Sequence, residues 1–341
     1  MVTKLSVGDI LGCPVSGSPL HREGNEWVSE EGRRYPEVQG VPVLFHPGES
    51  DTMDPMARTR EFTGSGTESD PWCVESLGIT EDQKKCVEAG LRSGGHQVDP
   101  VVEQIIAATC GNLYRGLVGR LPHYPIPHFR LKDGRGRVLV DLGCNWGRWC
   151  VAAAREGFSV VGIDPQIGAL LAAQRVAAQL GVDAAFICGD ARHLPLRADV
   201  ADVIFSYSVL QHFSREDAAK AIKSSGRVMK PDARLFVQMP NVMGPRCFYQ
   251  WARRGFNDGS GFNVRYWTLR QLRAAFGKIG PTSFEIDCFF GIGLQPSDAD
   301  IMPVKWKSLL MVSEALRKLE GIIPGLPWLA DSVYVDVTKK A

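Results

Sequence analysis

Val138-Leu139-Val140-Asp141-Leu142-Gly143-Cys144-Asn145-Trp146-Gly147 is the stretch around which this chain is organised. It reads as an apolar strand that stops in a small-residue turn and opens into a helix. Val138, Leu139 and Val140 are apolar on both faces, as a strand inside a parallel sheet must be. Gly143 and Gly147 bracket a turn where a ligand can meet bare backbone. Val160-Val161-Gly162-Ile163-Asp164 is a second apolar run ending in a carboxylate, 21 residues after Gly143, and Ala184 to Asp190 ends the same way. Acids at the carboxyl ends of successive parallel strands suit a nucleoside-type ligand, because the crevices of such sheets open there. A single acid after a strand is often only a helix N-cap. The order of turn, acid and acid, each at a strand end, favours the ligand.

A dinucleotide fingerprint, G-x-G-x-x-G, needs glycine twice more after Gly143, and those positions hold Asn145 and Arg148. No G-x-x-x-x-G-K-[ST] phosphate loop is present either. A ligand with ribose and adenine but no phosphate fits better than a nicotinamide dinucleotide.

The run Asp141-x-Gly143-x-x-x-Gly147, with Gly162-Ile163-Asp164-Pro165, Gly189-Asp190-Ala191 and Asp202-Val203-Ile204-Phe205-Ser206, resembles class I S-adenosylmethionine-dependent methyltransferases of the type 11-like branch. That resemblance covers residues 136–241 closely and the rest loosely. It implies an α/β fold, a Rossmann-like seven-stranded doubly wound sheet, with S-adenosylmethionine as cofactor, S-adenosylhomocysteine as product and no metal. It also implies cofactor contacts from Asp141, Gly143, Cys144, Asn145, Gly147, Asp164, Pro165, Gln166, Asp190, Ala191, Ser206, Tyr207 and Gln211. Within that set, one carboxylate can accept both hydroxyls of a ribose diol, which falls to Asp164. Asp190 and the Ala191 N–H go to adenine, and Asp141 holds the turn or meets the amino group. Asn145 stands where the family usually has glycine; Asn tolerates left-handed backbone better than most residues.

The 341 residues are 44% hydrophobic and 23% charged, with Lys+Arg 39 against Asp+Glu 38. A net charge of +1 gives no broad basic face for nucleic acid. No signal peptide and no membrane-spanning apolar run is visible, and nine scattered cysteines suit a reduced, cytoplasmic chain.

Residues 1–48 read as a small β-rich module, with short strands between Gly and Pro. Cys13-Pro14, Pro19-Leu20, Tyr35-Pro36 and Gly40-Val41-Pro42-Val43-Leu44 resemble the zinc-ribbon-derived activating subunit of tRNA and release-factor methyltransferases. Ser16 occupies the position of the second cysteine, so four thiolates cannot assemble; the module is expected to stabilise or dock without zinc, the rival being a zinc site that uses His21. Residues 49–72, polar and rich in turn formers, are expected to be a linker or mobile loop. Residues 73–135 read as a helical segment that caps the crevice or merely packs; His123 and His128 within it read as surface residues.

Residues 136–341 form the main domain, with insertions at 242–265 and 291–330. Ser214 with Asp217, and Thr268 with Gln271, are capping pairs that open helices. Pro231-Asp232-Ala233 turns into a fifth strand, and 283–290 with 332–337 form an antiparallel pair at the sheet edge. Trp306, Leu309, Val312, Leu316 and Leu319 mark an amphipathic helix that covers the sheet, while 304–330 also offers a peripheral membrane contact.

Methyl transfer from a sulfonium is an in-line displacement, so the chain positions reactants and removes a proton from the acceptor. His212 and Tyr207 are the catalytic candidates, His212 because a near-neutral imidazole can take that proton. The expected acceptor is an oxygen of a small molecule or of a glycan or lipid precursor, used by a monomer or homodimer. Three rivals stand beside this: an RNA or protein methyltransferase fused to its activator, a non-catalytic cofactor-binding interaction protein, and a nicotinamide oxidoreductase.

Overall fold

A computed structural model describes residues 6–51, 53–65, 70–291 and 293–340. The chain forms two compact units, Met1–Arg197 and Ala198–Ala341.

The first unit begins with an antiparallel ribbon: β1 (Leu20–Glu23), β2 (Glu26–Ser29), β3 (Arg34–Val38) and β4 (Val41–Leu44). Gln39 and Gly40 both take positive φ, 49° and 82°, so the β3–β4 hairpin closes on a turn whose twist matches its strands. All four residues of β4 are buried. The Cys13 Sγ lies 3.2 Å from the Tyr35 hydroxyl inside this ribbon.

Next comes α1 (Asp54–Ser65), inside the stretch expected to be a linker. Met56, Thr59 and Phe62 recur every three residues and are buried, a narrow face that the polar composition around it hides. The α2 helix (Glu81–Ser93) opens on a reciprocal Thr80–Gln83 capping box, and α3 (Pro100–Cys110) opens on Asp99 with Pro100 in its first turn.

The nucleotide-type motif follows as β5 (Val138–Leu142), α4 (Arg148–Arg155), β6 (Ser159–Asp164), α5 (Ile167–Gln179) and β7 (Ala184–Gly189). The strand order in this unit is β1-β2-β3-β4-β7-β6-β5, with β7, β6 and β5 parallel. β4 joins β7 in parallel, pairing Val43 with Cys188 and Leu44 with Gly189. The N-terminal ribbon therefore extends the central sheet, an arrangement not expected of a separate module. Residues preceding β5 are pinned to α5: the Arg175 guanidinium meets Asp99 at 2.6 Å, and Tyr124 Oη donates to Gln179 Oε1 at 2.7 Å.

The second unit contains β8 (Ala201–Ser206), α6 (Arg215–Val228), β9 (Met229–Pro240), α7 (Pro245–Arg253), α8 (Leu269–Phe276), β10 (Thr282–Cys288), α9 (Val304–Lys318) and β11 (Ser332–Thr338). Its order is β8-β9-β11-β10; β8 and β9 are parallel, and β11 runs against both β9 and β10. The expected turn at 231–233 lies within β9 as an irregularity, with Asp232 at φ 60°. Ser214 and Thr268 cap α6 and α8 as their spacing implies. α9 turns a different face inward than the expected stripe: Leu310 and Ser313 are buried, while Val312 is 49% exposed. The Ser313 hydroxyl decides this by accepting the Phe289 N–H at 2.9 Å.

The result is a Rossmann-like α/β architecture. Among the described residues the strands number eleven where seven were expected, because β1–β4 add to the seven strands β5–β11.

Candidate functional site

In the first unit the turn after β5 is built from three left-handed residues, Gly143 (φ 73°), Asn145 (φ 47°) and Gly147 (φ 81°). Asn145 bears this strain with help from its own side chain, whose Oδ1 accepts the Trp146 N–H at 2.9 Å. A Cβ at Gly147 would stand 3.2 Å from Ala173 and 3.4 Å from the Phe186 ring, so α4 starts where only glycine lets it pack. The Gly143 and Cys144 amides both donate to the Ile163 carbonyl, hooking the turn onto the end of β6.

Asp164 ends β6 and ties this turn to the next helix. One oxygen accepts the Asn145 N–H at 2.9 Å and the other the Gln166 N–H at 3.0 Å. Burial pushes its pKa up to about 6, against the lowering effect of those two amides. Asp141 lies deeper, 1% exposed, and accepts from the Cys150 thiol at 3.3 Å; burial raises it to about 7. Burial likewise raises Cys144, to about 12, so this thiol stays protonated and inert near neutral pH.

Elements ahead of the motif close over the start of α5. Gln166 Nε2 donates to the Ser76 and Leu77 carbonyls, the Gly168 N–H donates to Ser76 Oγ, and the Ile167 N–H to Thr59 Oγ1. Asp190, at the end of β7, is held differently. Its Oδ1 accepts the Arg192 N–H at 2.9 Å and its Oδ2 accepts Arg192 Nε at 2.8 Å. Arg192 also reaches the Ser50 carbonyl and Glu49, and His193 reaches Glu49, so the chain leaving β4 packs against the end of β7. Thus Asp141, Gly143, Cys144, Asn145, Gly147, Asp164, Pro165 and Gln166 lie on one continuous turn-and-strand-end assembly. Asp190 and Ala191 lie at the neighbouring strand end beside Arg192. Thr59, Ser76 and Arg192 had no motif to announce them; only Arg192, adjacent to Gly189-Asp190-Ala191, offered a positional hint.

In the second unit Ser206 is fully buried at the end of β8, and Tyr207 Oη donates to Asp287 Oδ2 at 3.3 Å. Gln211 Nε2 donates to Ser208 Oγ at 2.6 Å and lies 3.2 Å from His212 Nε2. His212 Nδ1 lies 2.8 Å from the Phe262 carbonyl, which can only accept, so Nδ1 carries the hydrogen and Nε2 the lone pair. The imidazole is also stacked on the Phe262 ring, 3.9 Å between centroids and 3° from parallel. Burial lowers its pKa to about 4, which makes it neutral and weakly basic at pH 7.

Against known families, the description "Methyltransferase domain" matches residues 139–232. That segment is similar to a methyltransferase domain. It starts at the second residue of β5 and runs through the glycine turn, Asp164, Asp190 and His212 into β9. A ubiquinone biosynthesis O-methyltransferase of Azorhizobium caulinodans is 25% identical over 175 residues, covering 49% of this chain and 66% of the relative. Its namesake in Brucella anthropi is 27% identical over 129 residues, 35% of this chain and 51% of the relative. The chain thus spans between about half and two thirds of the length of these curated relatives. Among solved structures, an S-adenosylmethionine-dependent methyltransferase from Mesorhizobium loti aligns over 61% of this chain and 94% of its own, with 18% identity and a TM-score of 0.43. The methyltransferase-domain match does not extend to the N-terminal ribbon. Among the described residues no three His, Cys, Asp or Glu side chains group as a metal set, and no helix is long and apolar enough to cross a membrane.

Proposed function

We propose that this chain is an S-adenosylmethionine-dependent methyltransferase that acts on an oxygen of a small molecule. The observation that carries the reading is the Asp164 assembly, within the segment that matches a methyltransferase domain. The residues present suit the cofactor. The left-handed Gly143 offers bare backbone in the turn to the methionine portion, and a carboxylate displaced toward neutrality stands ready for a ribose diol. When bound, S-adenosylmethionine supplies an electrophilic methyl group on a sulfonium.

Asp164 would hold the ribose hydroxyls, Asp190 and the Ala191 N–H the adenine, and Asp141 the amino group or the turn. For Ser206, Tyr207 and Gln211 the cofactor roles come from the family resemblance. His212 is the base we assign to the acceptor proton, through Nε2, with Gln211 displaced from that lone pair. Oxygen is preferred over nitrogen because the relatives' printed names are those of O-methyltransferases. The N-terminal ribbon, which resembles a methyltransferase activator, would act as a built-in stabilising element through β4.

Calorimetric titration with S-adenosylmethionine, S-adenosylhomocysteine and NADH tests this reading. Micromolar binding of both adenosyl ligands, with none of NADH, is expected. Binding of NADH alone, or of none of the three, overturns it.

A further inference from the structure

A second constellation, absent from the motif set, sits at the carboxyl ends of β8, β9 and β10. Tyr207 follows β8, Gln238 lies near the end of β9, Asp287 near the end of β10, and Ser332 starts the antiparallel β11. Gln238, Asp287 and Ser332 are each no more than 6% exposed, and Gln295 is 9% exposed. The register of β10 on β11 slips between Ile286 and Cys288, so Asp287 occupies an irregularity of the kind that re-aims a side chain.

The hydrogen bonds of this cluster have one direction. Ser332 Oγ donates its single hydrogen to Asp287 Oδ2 at 2.9 Å, so toward Gln238 it can only accept. Gln238 must then present its amide nitrogen to Ser332, which fixes the orientation of the amide. Tyr207 Oη donates to the same Asp287 oxygen and accepts from Gln295 Nε2 at 2.9 Å. Donors thus flow toward Asp287 from both sides. What remains is Gln238 Oε1, a buried acceptor with no partner among the described residues. A buried amide oxygen without a partner is costly, and in a native structure it points to a missing group.

We infer that Gln238, oriented by Ser332 and Asp287, accepts a hydrogen bond from a hydroxyl of a neutral small-molecule acceptor and so selects the substrate. The inference rests on the methyltransferase reading above and deepens it. The missing group must donate, because the atom it meets can only accept. A carboxylate or phosphate brought to this point would face the Gln238 oxygen beside the Asp287 carboxylate and gain nothing from either. Crevices beyond the carboxyl ends of parallel strands are where such sheets take ligands.

Transfer of labelled methyl from S-adenosylmethionine to catechol and cyclohexanol, against their carboxylated analogues protocatechuate and 4-hydroxycyclohexanecarboxylic acid, tests the assignment. Label is expected in the neutral hydroxyl compounds. Gln238→Met, of equal length but without the acceptor, should raise KM for the labelled compound about tenfold, the scale of one lost hydrogen bond. Affinity for S-adenosylmethionine and the melting temperature should not move. Ser332→Ala, which frees the Gln238 amide without removing it, should raise KM by less, about threefold, and covers the case in which the first variant fails to fold. Label confined to the acids, label in none of the four, or an unmoved KM in a folded variant overturns the subsite. Water alone at Gln238 Oε1 would give that last result. Loss of S-adenosylmethionine binding by the parent protein overturns instead the reading beneath it.

Discussion

The two units build polar sites from different kinds of sequence. In the first, the residues that matter are close neighbours in the chain: Gly143, Asn145 and Gly147 make one turn, and Asp164 reaches it from the next strand. In the second, Tyr207, Gln238, Asp287, Gln295 and Ser332 meet across bonds that span 80 to 94 residues along the chain, apart from the one between Asp287 and Ser332, which spans 45. A site made by one βα turn is written as a motif. A site made by four strand ends is written as single residues with nothing between them to mark the association.

Asp164→Ala is expected to have the largest effect. It removes a charge-assisted acceptor for a diol, at about 1.5–3 kcal/mol per bond, so S-adenosylmethionine affinity should fall by roughly 2–4 kcal/mol in calorimetry. An unchanged affinity would show that the local motif is structural only, and would break the contrast between the units. His212→Ala comes next: loss of a general base commonly costs at least about a hundredfold in kcat, with cofactor affinity kept. Unchanged turnover in single-substrate kinetics would leave His212 as a packing partner of Phe262.

The pH dependence sharpens the same contrast, because the two units titrate in separate ranges. Asp164 is raised to about 6, and the ribose diol donates to its ionised form. Cofactor affinity should therefore strengthen as pH rises through about 6, with roughly tenfold between pH 5 and 7. His212 is lowered to about 4, and its working form is the neutral one. With cofactor saturating, kcat should stay level from pH 8 down to about 5 and fall only toward 4; a fall centred near 6.5 would contradict the buried, stacked setting of the ring. The smallest effect is expected from Asn145→Gly. It relieves a left-handed non-glycine residue but gives up the Oδ1 bond to Trp146, so thermal unfolding should change by less than about 1 kcal/mol. A larger change in either direction would mean that the asparagine side chain, and not the backbone shape, is what the turn requires.

The parallel βα units were legible because alternating strands, turns and end-acids are short-range patterns with a direct physical cause. The helix caps at Ser214 and Thr268 were legible for the same reason. α1 was not: Met56, Thr59 and Phe62 are three buried positions in a segment whose mean composition is that of a loop. Nor was the inward face of α9, where a serine bonded to a backbone N–H displaces the larger apolar side chains that periodicity alone would select. His212 was legible as a residue in the right place, but its low basicity is set by burial, against the opposing pull of the Phe262 carbonyl fifty positions later, and no local reading could supply that setting.

The pairing of β4 with β7 has a consequence for the growing chain. Val43 and its partner Cys188 are 145 positions apart. At synthesis rates of about 5–20 residues per second, β4 leaves the ribosome roughly 7–30 seconds before β7 exists. Throughout that interval a strand whose four residues are all destined for burial has one backbone edge with no partner, the exposure that invites intermolecular pairing. The sheet of the first unit cannot be sealed until nearly the whole of that unit has been made, so its cooperativity is imposed late, by a contact between an early strand and its youngest one.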